Sequence, residues 1–226
     1  MARRRTVRNP DIRVESSAPS QRQSAFSVRW SAPILAKEGV TNIADFGSGT
    51  LRNLRVQEKN FDEIVLVETE IKCKSLQGEV AGKNHIRLQS TGAFQDDQTV
   101  YDAIFFISVL HIIPDPKYRQ RVVKMAAAKI RPGGFIVVDV PQSETYYNRR
   151  LKKLPRHKDG YLLRWGSHYT FYKSFYCNEL DAMFQKIPGL QLFPKNPLLQ
   201  TPNSYMEDAG VTLKSDDPSK SSESIW

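Results

Sequence analysis

The chain has 226 residues, 40% of them hydrophobic and 25% charged, with a mean hydropathy of −0.48. That is enough for one domain with a substantial core and short for two. No apolar run reaches the roughly eighteen residues needed to cross a bilayer. The basic N-terminus lacks the apolar stretch of a secretory signal. Two cysteines, Cys73 and Cys177, are too few for a disulfide framework or a cysteine-built zinc site. The expectation is therefore a cytoplasmic protein with no membrane segment and no metal.

The formal net charge is +9. Much of the excess sits in two places, an arm with Arg3, Arg4, Arg5, Arg8 and Arg13, and a run with Arg149, Arg150, Lys152, Lys153, Arg156 and Lys158. Clustered positive charge attracts phosphate-bearing partners. Such clusters fit a nucleic-acid or other anionic partner as well as they fit solvated basic loops.

Taken in chain order, residues 1–24 are polar and aperiodic and read as a disordered basic arm. Residues 25–38 carry Phe26, Val28, Trp30, Ile34 and Leu35 and suggest a short helix broken at Pro33. Strands are predicted at 42–46, 63–68, 85–89, 103–108 and 135–140. Helical stretches are predicted at 51–58, 70–80 and from Pro116 to about 130, the last opened by Pro114, Asp115 and Pro116. The strands are near-continuous apolar runs, as buried parallel strands are. Strands alternating with helices imply a doubly wound α/β sheet with right-handed crossovers. Residues 141–176 are basic and aromatic, and within them 161–176 reads equally as a substrate lid or as a core-facing strand and helix. A helix at 178–186 and a short strand at 190–193 follow. The main domain is placed at 25–200, and 201–226 reads as a disordered tail.

The strongest chemical signal is Asp45-Phe46-Gly47-Ser48-Gly49-Thr50-Leu51-Arg52-Asn53. A strand runs into Gly-x-Gly and then into a helix, so backbone N–H groups are delivered where a ligand can approach closely. Asp45 is badly placed for a pyrophosphate and well placed for a cation. Arg52 stands where a dinucleotide fingerprint has its third glycine. Glu68 ends the second strand 19 residues after Gly49, where an acid can accept the hydroxyls of a ribose; Glu70 is its nearby competitor. The end of the fourth strand, Ile107-Ser108-Val109, should floor the crevice at the switch point of the sheet. Ile130-Arg131-Pro132-Gly133-Gly134 reads as a helix stop and turn before the fifth strand.

This ordered set resembles the class I S-adenosylmethionine (SAM)-dependent methyltransferase superfamily, with Arg52-Asn53 similar to its small-molecule, quinone-biosynthesis-like branch. The resemblance covers about residues 25–193. It implies a Rossmann-like, seven-stranded, mostly parallel sheet with helices on both faces, SAM as cofactor and a methyl acceptor still to be identified, whether small molecule, RNA or protein. It implies that Gly47, Ser48 and Gly49 pass under the methionine part and that Asp45 lies near its amino group. Glu68 would hold the ribose, and Ile107 and Ser108 would line the sulfonium. Where the family often has an acid for adenine, this chain has Gln89-Ser90-Thr91, so Ser90 is carried as the adenine contact. His111 is the candidate general base, against a plain packing role, with His168 behind it. Ser108-Val109-Leu110-His111 lacks the Pro-Pro-aromatic run of amino-methylating DNA enzymes and the Pro-Cys of C5-pyrimidine enzymes. A non-catalytic subunit of this fold, binding nucleic acid through its arm, is the alternative that the intact loop argues against.

Overall fold

The structure is a computed structural model that describes residues 7, 9–14, 23–141, 151, 153–192 and 208–215. Arg3, Arg4, Arg5, Arg8, Arg149, Arg150 and Lys152, singled out by charge, lie outside these. In chain order it has α1 (Phe26–Lys37), β1 (Asn42–Phe46), α2 (Leu54–Gln57), β2 (Glu63–Glu68), α3 (Glu70–Val80), β3 (Ile86–Ser90), α4 (Thr91–Asp96), β4 (Tyr101–Ile107), a 3₁₀ turn (Leu110–Ile112), α5 (Pro116–Ala127) and β5 (Ile130–Pro141). Then come β6 (Arg156–His157), β7 (Gly160–Trp165), β8 (His168–Tyr172), α6 (Cys177–Phe184), β9 (Leu190–Leu192) and β10 (Asp208–Ser215).

The main sheet runs in the order β3-β2-β1-β4-β5-β10-β9. Its first five strands are parallel. β10 joins β5 antiparallel, and β9 joins β10. The apolar runs of the sequence are explained by the two faces. In β4, Ala103, Phe105 and Ile107 enter one core cluster with α1, while Ile104 and Phe106 enter the other with α5 and α6. Side chains alternate across a strand, so a strand covered on both faces is apolar at every position.

Several boundaries differ from expectation. α1 runs unbroken through Pro33, which stands on its exposed side. Pro132-Gly133-Gly134 is a bulge inside β5 and not a turn before it. Ile130 already pairs with Tyr101, the next four residues swing out, and pairing resumes between Phe135 and Ala103. Asp102 clamps this bulge. Its Oδ1 accepts Arg131 Nε–H at 2.5 Å, and its Oδ2 accepts the backbone N–H groups of Thr41 and Asn42 at 2.8 and 3.0 Å. One carboxylate thus fixes the entry to β1 and the kink in β5. β10 lies inside the stretch 201–226 that composition reads as disordered; Ala209, Val211 and Leu213 recur at every second position, and the edge of β5 supplies the partner.

The aromatic segment forms a separate antiparallel sheet, β6-β7-β8. Asp11–Arg13, read as part of the disordered arm, pair with its edge. Tyr169 N–H donates to Asp11 O at 2.8 Å, and Arg13 N–H donates to Tyr169 O at 2.9 Å. The sheet is riveted to the main body by charge. Arg119 of α5, 3% exposed, forks onto both oxygens of Asp159 in the β6–β7 turn at 2.8 and 3.3 Å. Lys173, 5% exposed, pairs with Glu179 of α6 at 2.6 Å, and both cations lie over the Phe175 ring.

The bulge leaves no room for a side chain at Gly134, where a Cβ would lie 2.7 Å from Asp102 O and 3.0 Å from Arg131 O. Gly134→Ala is expected to lower stability by about 1–3 kcal/mol in urea denaturation, as overpacking against backbone does. An unchanged midpoint would mean that the bulge is plastic and not fixed by Asp102.

Candidate functional site at the carboxyl ends of β1 and β4

Between β1 and β4 the strand order reverses, so the connections leave toward opposite sides and a crevice opens at their carboxyl ends. The Gly47–Gly49 loop forms one wall. Gly47 has φ +76°, and its N–H donates to Val67 O at 2.7 Å. A Cβ there would stand 2.4 Å from Val109 Cγ2, so the loop is pressed against the chain leaving β4. Gly49 has φ +64°, and only Gly47 O, at 3.8 Å, is near the place of its absent Cβ. The loop therefore presents bare backbone. Leu51 also holds a left-handed φ of +60°, at a cost of about 1 kcal/mol for a side-chain-bearing residue.

Asp45 lies under this loop, 2% exposed. Its Oδ2 accepts Gln57 Nε2–H at 2.9 Å, while its Oδ1 is buried with no partner. Burial pushes its pKa up to about 6; the Glu68 charge adds to the rise, and Gln57 and Arg52 oppose it. Glu68 is also buried, and burial raises it above the ordinary carboxylate value. Its Oε1 accepts Gly49 N–H at 2.5 Å, and its Oε2 accepts Thr69 N–H at 3.1 Å. Glu70, the competitor, is exposed in the first turn of α3. Ser48 Oγ is buried without a partner.

Ser108 ends the opposite wall with φ +60°. Its N–H donates to Asp139 O at 2.8 Å, and its Oγ accepts Arg52 Nη2–H at 3.2 Å. Arg52 thus spans the crevice from the glycine loop to β4. The Ile107 side chain belongs to the α1-side core cluster. Ser90 sits level with Glu68 in the β2–β3 register, but its hydroxyl accepts Ala93 N–H at 3.1 Å and caps α4. Thr91 Oγ–H donates to Glu68 O at 3.1 Å.

His111 follows in the 3₁₀ turn, 7% exposed, with Nδ1 buried and unpartnered. Its ring meets the Tyr172 ring edge-on, centroids 5.1 Å apart, and its carbonyl accepts Lys173 N–H at 2.8 Å. Burial, with the Arg52 and Arg119 charges, pushes its pKa down to about 3, so the ring stays neutral at physiological pH. His168 lies elsewhere, across from Trp165 near the β7–β8 turn. Sequence reasoning missed Gln57, the contact of Tyr172 with His111, and the pair formed by Ser27 and Asp139, where Ser27 Oγ–H donates to Asp139 Oδ2. Each meets its partner across a separation that no motif records. Among the described residues there is no group of three or more His, Cys, Asp or Glu side chains placed to hold a metal, and no helix is long and apolar enough to cross a membrane.

An acid whose pKa is higher folded than unfolded contributes most stability when protonated, and that contribution is lost as pH rises from about 4 to about 6. Asp45→Asn removes the loss. The variant is expected to match the parent near pH 4 and to exceed it by up to about 3 kcal/mol at pH 7 in denaturant titrations. A parallel pH dependence in both proteins would show that Asp45 is not held at a cost.

Residues 13–187 match the family described as "Methyltransferase domain". No curated protein sequence matches the chain. Many solved structures share its fold. One is a SAM-dependent methyltransferase from Clostridium acetobutylicum, with TM-score 0.62, 13% identity and coverage of 85% of this chain and 93% of the other. Another is the CcbJ methyltransferase from Streptomyces caelestis, with TM-score 0.60, 15% identity and coverage of 88% and 100%. A third is SAM-bound CalS10, an amino pentose methyltransferase from Micromonospora echinaspora, with TM-score 0.58, 14% identity and coverage of 83% and 89%. At these identities the likeness is one of fold.

Proposed function

The chain belongs to the methyltransferase domain family, and on that basis we propose that it is a class I enzyme with SAM as its cofactor, whose residues share the work as follows. The observation that carries the reading is a pair of buried, unpartnered acceptors, Asp45 Oδ1 and Ser48 Oγ, under a loop with bare backbone at Gly49. Uncompensated burial of a carboxylate costs free energy, and a cationic amino group is the partner that would offset it. Gly47, Ser48 and Gly49 form the cradle for the methionine part. Glu68 exchanges its bond from Gly49 N–H for ribose hydroxyls. Ser90 keeps a hydroxyl hydrogen to offer adenine, since its cap uses only a lone pair. Ile107 and Ser108 border the reacting end.

SAM supplies a methyl group already activated on sulfur. The chain then has to align the acceptor and keep water out. His111 is the proposed catalytic residue: a neutral ring whose lone pair accepts a hydrogen bond from the acceptor's N–H or O–H and orients the nucleophile. Held well below neutrality, it is a weak proton acceptor until the forming bond makes the nucleophile acidic. We place the protein in the cytoplasm, where a thiol such as Cys73 stays free. The two basic stretches favour a nucleic acid, or another anionic molecule, as the partner that carries the acceptor.

Titration calorimetry with SAM and S-adenosylhomocysteine tests the assignment. Saturable micromolar binding of both is expected, tightening from pH 5 to pH 7 as Asp45 ionises. Gly49→Arg is expected to abolish it, because the side chain fills the cradle, while keeping a cooperative thermal transition lowered by only about 2–4 °C, the cost of a side chain at left-handed φ. Unchanged affinity in that variant sinks the assignment of the loop.

A further inference from the structure

We propose that the exposed end of the β6-β7-β8 sheet is a docking surface for single-stranded nucleic acid, leading to the acceptor side of the crevice. The proposal rests on the reading above that the acceptor is carried by a polyanion. The antiparallel register puts Arg156, Tyr161 and Trp165 on one face of this sheet, with Tyr172 directly across from Tyr161 and His168 across from Trp165. The outer end of that face carries Trp165, 53% exposed. Its inner end carries Tyr172, whose ring touches His111. One row of side chains thus runs from solvent to the turn after β4.

Charge and chemistry select the occupant. Arg156 is exposed and lies over the Tyr161 ring, 5.3 Å from its centroid. Arg156 enters no ion pair among the described residues. The neighbouring acids are already engaged: Asp11 by Arg13, Asp115 by Lys158, and Asp159 by Arg119 and Lys173. The face therefore offers one guanidinium free of ion pairs, beside the half-buried Tyr161 ring and in line with the exposed Trp165 ring. Guanidinium groups take phosphates, and rings take the faces of unpaired bases, which a duplex hides.

The test is fluorescence anisotropy of the full chain with a labelled, mixed-sequence 20-nucleotide RNA, its DNA counterpart and the matching duplex, across a salt series. Single strands are expected to bind and the duplex to bind more weakly. Trp165→Ala should weaken single-strand binding about tenfold at every salt concentration, without changing the salt slope. Arg156→Gln should lower the slope of log K against log salt by about 0.7, the value for one phosphate no longer neutralised. All variants should keep SAM affinity by calorimetry, since these residues lie outside the cradle. Three results overturn the proposal: no single-strand binding at 50 mM salt; equal binding of duplex with no effect of Trp165→Ala; or loss of binding on deleting residues 1–10 but not in the sheet variants. Failure here with SAM binding intact removes the docking surface alone. Loss of SAM binding in the parent protein strikes the cofactor assignment instead.

Discussion

The site depends on a missing methyl group. At Gly47 the backbone passes so close to Val109 that a Cβ would lie 2.4 Å from its Cγ2. That approach joins the exit of β1 to the exit of β4, the two strands that flank the reversal of strand order. Because the loop lies this low, Gly49 N–H reaches Glu68 at the end of β2, and Arg52 reaches Ser108 at the end of β4. A larger residue would lift the loop and part all three strand ends together. The left-handed backbone at Gly47 and Gly49 follows from the same bend, and it strips the cradle of side chains where a ligand must come close.

Electrostatically, the site is kept in an unfavourable state. Two carboxylates, Asp45 and Glu68, are buried near one another, and each is raised above its ordinary value. Arg52 offsets part of this, and the same charge helps to hold His111 neutral. Buried acceptors without partners are found at ligand sites because the ligand completes them. The body of the fold tolerates them because its central parallel strands are apolar on both faces, with Ile104, Phe105 and Phe106 fully buried in succession. Stability is concentrated in the sheet and spent at its carboxyl edge.

The parallel sheet and the glycine loop were legible in the sequence because both are local. A run such as Ala103-Ile104-Phe105-Phe106-Ile107 has one explanation in a chain of this size, and Asp45-x-Gly47-x-Gly49 carries its own turn. What was illegible depends on distant partners. Asp11–Arg13 look like an arm until Tyr169 supplies an edge, and β10 looks like a tail until β5 does. The aromatic segment alternates like a strand, but its register, and hence which rings share a face, is set by a hairpin turn at Gly166. Pro132-Gly133-Gly134 reads as a turn because composition cannot reveal that Ile130 has already joined the sheet. Ser90 was legible as a polar residue at the right level; that its oxygen caps α4 depends on a six-residue helix that periodicity does not announce.

The appended sheet matters because methyl transfer is an alignment problem. Two attachments fix its inner end. One is the charge cluster in which Arg119 and Lys173 share Asp159 and flank Phe175. Buried ion clusters of this kind contribute little net stability, but they define geometry, since each charge must find its counterpart. The other is the packing of His111 against Tyr172 and its bond from Lys173, which tie β8 to the turn leaving β4. The crevice wall and the inner end of the sheet are therefore one continuous structure, and a group held against Tyr172 is positioned relative to Ser108 and the glycine loop. The exposed end, around Trp165, is held by the pairing of Asp11–Arg13 with Tyr169 and not by the charge cluster or by His111. A sheet anchored to the main body at the reacting end and open to solvent at the other suits a surface that gathers a flexible partner and delivers one group of it to a fixed place.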